Sequence, residues 1–380
     1  MKFTIERQGL LSALKSIHVV VPNRSVSSVT TCFLFEIEHN DTLKVSCTDM
    51  THSAYTSVKL LACDGGFTLA VPAERLISVL SLMSGDVVTM GFKTWDGRMV
   101  VTDGQDTFKL AVTNEKFPDL NLDFTDKNEI GHVPESWLLK TLAGIEFAAP
   151  KQSSVGAVDS FKCIMLETYD AEHGGEVTCI AGAGVAIAKA RCPDCGKTES
   201  HNPIALPSLR IIKGLLKPRD SMCVLYKVDN HLVFRTENTT FSVALKAESF
   251  PDTKVFFSRV GDTTGAIVVD ADDLQGAMRR VMVLDTQLTS MPLTVTMNAS
   301  GDTLELSAES QAGTYAGTIG CKKSGSCTRI GLRCQYVLSA CSLMSGDVTI
   351  RMSLPRSPVY IMADGFDMVI MPVYTPESNA

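Results

Sequence analysis

The heptapeptide SLMSGDV occupies residues 81–87 and recurs unchanged at 342–348, an offset of 261 residues (342 less 81). The tripeptide FPD occurs at 117–119 and again at 250–252, an offset of 133 residues (250 less 117). The first spacing is close to twice the second. A unit of about 130 residues used three times accounts for both, and internal repetition at a fixed period defines an architecture before any local reading does. The chain of 380 residues divides into units spanning 1–128, 129–259 and 260–380.

Weaker similarity extends each unit. FTIERQGLLSALKSI (3–17), HVPESWLLKTLAGI (132–145) and VVDADDLQGAMRRV (268–281) each read as a short strand, a polar cap and apolar residues at helical spacing. Leu10, Leu11, Leu14 and Ile17 match Leu138, Leu139, Leu142 and Ile145, with Leu274, Ala277, Met278 and Val281 as the third copy. Asp270, Asp272 and Asp273 crowd the start of the third helix, where its dipole favours negative charge. A second helix is predicted later in each unit, over 73–83, 207–217 and 334–344. Pro72 and Pro207 stand at or just before helix starts, where a missing N–H costs nothing, and Gly85 and Gly346 read as stops. Most of the remainder alternates with period two between turn signals, as in TCFLFEIE (31–38), TLKVSCT (42–48) and LELSAES (304–310). The predicted class is α+β, with two helices per unit backed by antiparallel sheet.

Composition bounds the function. With 45% hydrophobic residues, 20% charged residues and a mean hydropathy of +0.13, the chain is globular and not disordered. No apolar run approaches a membrane span, and the N-terminus lacks a signal-peptide core, so the expected location is cytoplasmic. The 12 cysteines are expected to be reduced and mostly buried. The net charge of −7 argues, taken alone, against a general nucleic-acid binder.

The N-terminal MKFTIER with its following leucines, CTD (47–49), VPAERL (71–76), both FPD copies and VIMPV (369–373) resemble, in order and spacing over the whole chain, the bacterial-type DNA sliding clamp, the beta subunit of the replicative DNA polymerase III holoenzyme. The resemblance implies a head-to-tail homodimeric ring with sheets outside and helices around a central hole. It implies a polymerase processivity factor that encircles duplex DNA without reading its sequence and without catalysis. The implied partners are the replicative polymerase, an ATP-driven clamp loader and other proteins carrying a clamp-binding motif, with no cofactor.

On that resemblance the helices' charges matter more than the total. Lys15, Arg75, Lys140, Arg210, Lys213, Lys217, Arg279 and Arg280 are the DNA-facing candidates, with Arg7 and Arg333 also on or beside helices. Spacing alone favours an ordinary solvated helix face, and it is the resemblance that favours a hole lining. The loops after the first helix of each unit add Asn23 and Arg24, Lys151 and Gln152, and Thr286 and Gln287. In similar clamps a pocket between the second and third domains takes partner peptides. Carried over residue by residue, it involves Phe161, Gly182, Gly184, Val185, Ala186, Ile187, Pro251, Phe256 (or Val255), Val369 and Met371. GAGVAI stands where many clamps have a TDGHRL-like sequence, so a more purely apolar pocket is expected. The tail TPESNA (375–380) is positioned in sequence to cover part of it. Phe108 and Leu110 are expected to meet Val283 and Leu284 of a second copy. Each of these apolar residues reads equally well as core.

An alternative rests on CPDC (192–195) with His201, half of a zinc ribbon or a redox pair in a repeat-built cytosolic protein. Structural zinc takes four ligands, so this motif is incomplete. GKT (196–198) lacks the upstream glycine of a phosphate loop, where Arg191 stands, and no metal-binding or catalytic constellation emerges.

Overall fold

The computed structural model describes residues 2–37, 41–93, 97–113, 115–120, 122–150, 161–247, 250–285 and 292–373. By internal contacts the chain forms two units. The first comprises Met1–Ser136 with Pro207–Leu245, and the second Trp137–Leu206 with Lys246–Ala380.

In chain order the first strands are β1 (Lys2–Glu6), β2 (Cys32–Ile37), β3 (Thr42–Thr48), β4 (His52–Lys59), β5 (Ala62–Cys63), β6 (Phe67–Pro72), β7 (Val87–Lys93), β8 (Arg98–Thr102) and β9 (Thr107–Ala111). They are followed by β10 (Glu129–Pro134), β11 (Cys163–Thr168), β12 (Val177–Ala183), β13 (Ala186–Cys192), β14 (Ser200–Ala205), β15 (Met222–Val228), β16 (His231–Arg235) and β17 (Thr239–Ala244). The last are β18 (Gly265–Asp270), β19 (Thr294–Ser300), β20 (Thr303–Ser310), β21 (Gly313–Gly320), β22 (Lys322–Gly325), β23 (Ile330–Arg333), β24 (Asp347–Met352), β25 (Val359–Ala363) and β26 (Phe366–Ile370). The helices are α1 (Arg7–Ile17), α2 (Ala73–Leu82), α3 (Glu135–Ile145), α4 (Ser208–Leu215), α5 (Lys254–Ser258), α6 (Ala271–Met282) and α7 (Cys334–Cys341).

Each predicted strand–helix pair is present: β1 runs into α1, β10 into α3 and β18 into α6. α1 buries Leu10, Leu11, Leu14 and Ile17, the apolar stripe that its spacing dictates. Asp270 caps α6, its carboxylate accepting from the amides of Asp272 and Asp273 at 2.9 and 3.2 Å.

The sheets show how the repeat is used. In the first unit the order β5-β1-β7-β8-β9 makes one sheet and β10-β15-β16-β17-β4-β3-β2-β6 another. In the second unit the orders are β14-β11-β12-β13-β26-β25-β24-β18-β22 and β21-β20-β19-β23. Two four-stranded meanders recur three times. One is β1-β7-β8-β9, repeated as β10-β15-β16-β17 and β18-β24-β25-β26; the other is β6-β2-β3-β4, repeated as β14-β11-β12-β13 and β23-β19-β20-β21. The last strand of one type pairs antiparallel with the last strand of the other: β17 with β4, and β26 with β13. β9 and β21 are the remaining members of this set, and each stands at the end of its sheet.

The two copies of SLMSGDV differ locally. Gly346 takes a positive φ of 65°. Gly85 does not, and a side chain there would meet the Asp103 Cβ at 2.8 Å. Its amide donates to the Asp103 carboxylate at 3.0 Å. Gly346 therefore supplies a backbone conformation, whereas Gly85 supplies room for a tertiary contact.

Candidate functional site

In the second unit the apolar candidates converge on one face of the β11–β12–β13–β26 sheet. Ile187 stands opposite Val369 in the β13–β26 pair and opposite Gly182 in the β12–β13 pair. Met165, Ile180 and Ile187 form a buried cluster on which Phe250 and Phe257 pack. Phe161 meets the Phe250 ring edge-on at 5.7 Å. The Met371 amide donates to the Val185 carbonyl at 2.9 Å, bringing the end of the last strand against the β12–β13 turn. A Cβ on Gly182 would lie 3.0 Å from Ile187 Cγ1, so glycine lets that side chain lie flat on the sheet. No Cβ at Gly184 would meet a neighbour within 4 Å.

Accessibility separates these residues. Ile187 and Val369 are buried, whereas Met371 is 42% exposed, and Pro251 is half-buried. α5 lays its Phe257 into the cluster and leaves Phe256 45% exposed, with Val255 also exposed. The sequence named Phe256; a five-residue helix is too short for periodicity to tell which of two adjacent phenylalanines faces the sheet. The result is a buried apolar cluster, with Met371 exposed two residues beyond Val369 and with Val255 and Phe256 exposed next to Phe257.

The equivalent junction in the first unit is chemically different. Ser53 stands opposite Ser242 across β4–β17, where the second unit has Ile187 and Val369. Ser46, Ser53 and Ser242 are buried, and the Ser242 hydroxyl donates to the Leu120 carbonyl at 3.4 Å. Both junctions are covered by their own chain, the first with a polar contact to Leu120 and the second with the apolar rings of Phe250 and Phe257.

The basic candidates also divide. In the first unit Lys15, Arg75 and Arg210 are exposed, and Arg24 is exposed in the loop after α1; Lys213 and Lys217 are half-buried. In the second unit Lys140, Arg279 and Arg280 are exposed, and the Arg280 Nε donates to the Tyr315 hydroxyl at 3.4 Å. Arg7 is only 8% exposed. Its Nε donates to the Gly85 carbonyl at 2.6 Å and its Nη1 to the Leu80 carbonyl at 3.0 Å, so it closes the C-terminal end of α2. Glu135, the matching first residue of α3, is buried and accepts from the Lys217 amide and the Ser221 hydroxyl. Lys151, Gln152, Thr286, Gln287 and the tail 375–380 lie outside the described residues.

Phe108 is 36% exposed on β9 and Leu110 is buried; Val283 is 80% exposed just after α6, with Leu284 half-buried. The Leu284 Cδ2 comes within 3.8 Å of where a Cβ on Gly313 would lie, at the start of β21.

A hydrogen-bonded chain not foreseen from sequence runs through the first unit. His52 Nδ1 lies 2.8 Å from the Asp49 carboxylate and its Nε2 lies 2.9 Å from the Ser208 hydroxyl. This is the order of a hydrolase triad, but Ser208 is 2% exposed and leaves no room for a substrate. The arrangement ties the first residue of α4 to the β3–β4 turn. The sequence held only the CTD tripeptide as a hint.

The CPDC thiols are buried with their sulfurs 3.2 Å apart, and burial pushes Cys192 up to about 12. His201 instead faces Glu167 and Glu199. Among the described residues no group of three or more His, Cys, Asp or Glu is placed to hold a metal ion, so the zinc reading finds no support. All 12 cysteines are free, and all but Cys63 and Cys327 are buried. No helix among the described residues is long and apolar enough to cross a membrane.

Residues 1–122 match the family model of the DNA polymerase III beta subunit, N-terminal domain. The beta sliding clamp of Caulobacter vibrioides is 23% identical over 390 aligned positions, covering 98% of this chain and all of the relative. Among solved structures, a DNA polymerase III beta subunit from Eubacterium rectale superposes with a TM-score of 0.85 at 18% identity, covering 99% of this chain and 100% of that one. The sliding clamp of Bacillus subtilis gives 0.85 at 16% identity, with 99% of both chains covered. The chain is thus similar to bacterial sliding clamps in sequence over nearly its whole length, and it has their fold.

Proposed function

We propose that two copies of this chain close head to tail into a ring around duplex DNA, and that the ring acts as the processivity factor of a replicative polymerase. The observation that carries this reading is the unfinished series of strand junctions. β4 pairs with β17 and β13 with β26; continuing the series, β21 of one copy pairs with β9 of the next. A heterologous contact of this kind either closes or propagates, and three repeats per chain close as a dimer of six. The register follows from the two existing junctions. Ile187 opposes Val369 and Ser53 opposes Ser242, so Lys109 opposes Thr314 and Leu110 opposes Gly313. Leu110 then meets Leu284 and Val283, removing exposed apolar surface from water.

The three-repeat division at 1–128, 129–259 and 260–380 belongs to this reading. So do the exposed basic residues as DNA-facing groups, which attract phosphates without reading bases and leave the ring free to slide. An acidic exterior is compatible with such a basic lining, since net charge is a whole-surface average. The apolar surface around Ile187, Val369 and Met371 takes linear peptides of the polymerase, of an ATP-driven loader and of other partners. Function by enclosure requires no reaction in this chain.

The test is topological. Protein assembled on a nicked circular duplex should remain bound through gel filtration and be released when the circle is cut once. Equal retention on circular and linear DNA would overturn the reading.

A further inference from the structure

Enclosure of DNA makes no use of the CPDC turn, and the backbone of that turn is fixed independently of its thiols. Cys192 is the last residue of β13 and stands opposite Val177 in the β12–β13 pair. The amides of Cys195 and Gly196 both donate to the Gly175 carbonyl at 2.8 Å, just before β12 begins. A Cβ on Gly196 would run into the Tyr169 carbonyl oxygen, so the chain passes Tyr169 at a distance only glycine allows. Between the cysteines, Pro193 at the second position and Asp194 at the third, with a φ of 55°, match the pattern of a type II turn. Aspartate tolerates that left-handed backbone better than most side chains. These constraints leave the two sulfurs 3.2 Å apart as free thiols. A disulfide bond is roughly 2.05 Å long, so closing it takes a small movement of the side chains and none of the backbone.

The pair lies at the skin of the second unit. Pro193 and Asp194 are exposed, and Cys192 and Cys195 each keep 8% exposure, whereas the nearby Cys179 of β12 keeps none. Burial, with the Cys195 sulfur beside it, pushes the Cys192 thiol up to about 12. Strongly oxidising pairs owe their potential to a stabilised thiolate in the reduced form; Cys192 lacks one, which favours a disulfide that persists once formed. We propose that Cys192 and Cys195 are a thiol–disulfide modification site, oxidised by a low-molecular-weight disulfide. A thiolate of the pair attacks the small disulfide, forming a mixed disulfide and expelling one small thiolate. The neighbouring cysteine loses its proton to solvent, attacks the protein sulfur of the mixed disulfide and expels the second small thiolate. Both small thiolates take up protons. Two protein thiols and one small disulfide thus become one protein disulfide and two small thiols, with two electrons leaving the protein. The new bond fastens the exit of β13 to the turn that holds Gly175 ahead of β12. It requires neither a ring nor a bound peptide.

The test equilibrates the full-length protein in glutathione buffers of graded oxidised-to-reduced ratio, both folded and unfolded in urea, starting from reduced and from oxidised material. Samples are quenched in acid, alkylated with N-ethylmaleimide under denaturing conditions and digested. Trypsin cuts after Arg191 and Lys197, so both cysteines fall on the single peptide 192–197. From the folded protein this peptide should be unalkylated and two hydrogens lighter. Half-oxidation of the folded protein should need a ratio roughly tenfold lower than that of the unfolded chain, because the fold already holds the sulfurs together. By linkage the oxidised protein should unfold at a higher urea midpoint. Cys192→Ser and Cys195→Ser should each abolish that rise and leave the remaining cysteine able to form only a mixed disulfide with glutathione. Equal half-oxidation ratios for folded and unfolded chains would overturn the proposal. So would a folded pair that stays alkylated where the unfolded one is oxidised, or a bond from Cys192 to Cys179 in place of Cys195.

Discussion

Ile187 and Val369 face each other across the β13–β26 pair, and Ile187 joins the buried cluster on which Phe250 and Phe257 pack. At the equivalent place in the first unit, Ser53 faces Ser242. The backbone device is the same and the chemistry is opposite. Peptide docking should therefore belong to the second junction alone. Met371→Ser removes an exposed apolar contact while leaving the buried floor intact, so it should weaken an apolar clamp-binding peptide by roughly tenfold, the scale of burying one such side chain, with no change in melting temperature. Isothermal titration with the peptide checks this, and undiminished affinity would move the docking site elsewhere.

The inferred intersubunit register makes a covalent prediction. The double variant Lys109→Cys with Thr314→Cys should oxidise to a species of twice the 41.0 kDa chain mass, seen on non-reducing gels. Cross-strand neighbours have Cβ atoms about 4.5–5.5 Å apart, within the adjustment a disulfide allows. Charge introduced by Leu284→Asp should instead give monomers by analytical ultracentrifugation. Persistence of the dimer in that variant, together with no crosslink in the cysteine pair, would refute the β9–β21 pairing.

Arg7 and Arg75 predict contrasting phenotypes from the same residue type. Arg7→Leu strips two helix-end carbonyls of their buried donor and should cost about 2–3 kcal/mol by urea unfolding. Arg75→Gln touches an exposed group and should leave stability within about 0.5 kcal/mol. It should weaken DNA binding and flatten its dependence on salt.

Acid should act on the Asp49–His52–Ser208 chain. Burial pushes the Asp49 carboxyl up, but hydrogen bonds from the His52 side chain and from the His52 and Thr51 amides outweigh it, so its pKa is lowered. A carboxylate with a lowered folded pKa contributes stability that is present above its unfolded value, about 3.9, and is lost as pH falls through the folded one. The wild type should thus lose stability more steeply below about pH 4 than Asp49→Asn, measured by urea unfolding across pH. Parallel curves would show that Asp49 does not couple to folding.

Much of the fold was legible because it rests on local periodicity. α1, α3 and α6 each follow a strand and present apolar residues at helical spacing, and the alternating stretch 42–48 coincides with β3. Sites that depend on packing were less legible. Arg7 reads as one more helix charge until the end of α2 is brought beside it. The choice of Phe257 over Phe256 is set by the angle at which α5 lies on the sheet. The Asp49–His52–Ser208 chain joins residues of distant sequence, and no spacing rule announces it.

SLMSGDV shows where the division falls. The sequence by itself determined that the chain is built from a repeated unit, because hydrophobic period and turn chemistry are local and survive in each copy. It could not determine what each copy does. Gly346 takes a left-handed conformation and Gly85 makes space for Asp103, although seven residues are identical. The tertiary structure also decided that one junction carries paired serines beneath a polar contact to Leu120 and the other paired aliphatics beside a cluster covered by Phe250 and Phe257. Strand register and covering segments are non-local, and they decide which buried surface is left for a partner.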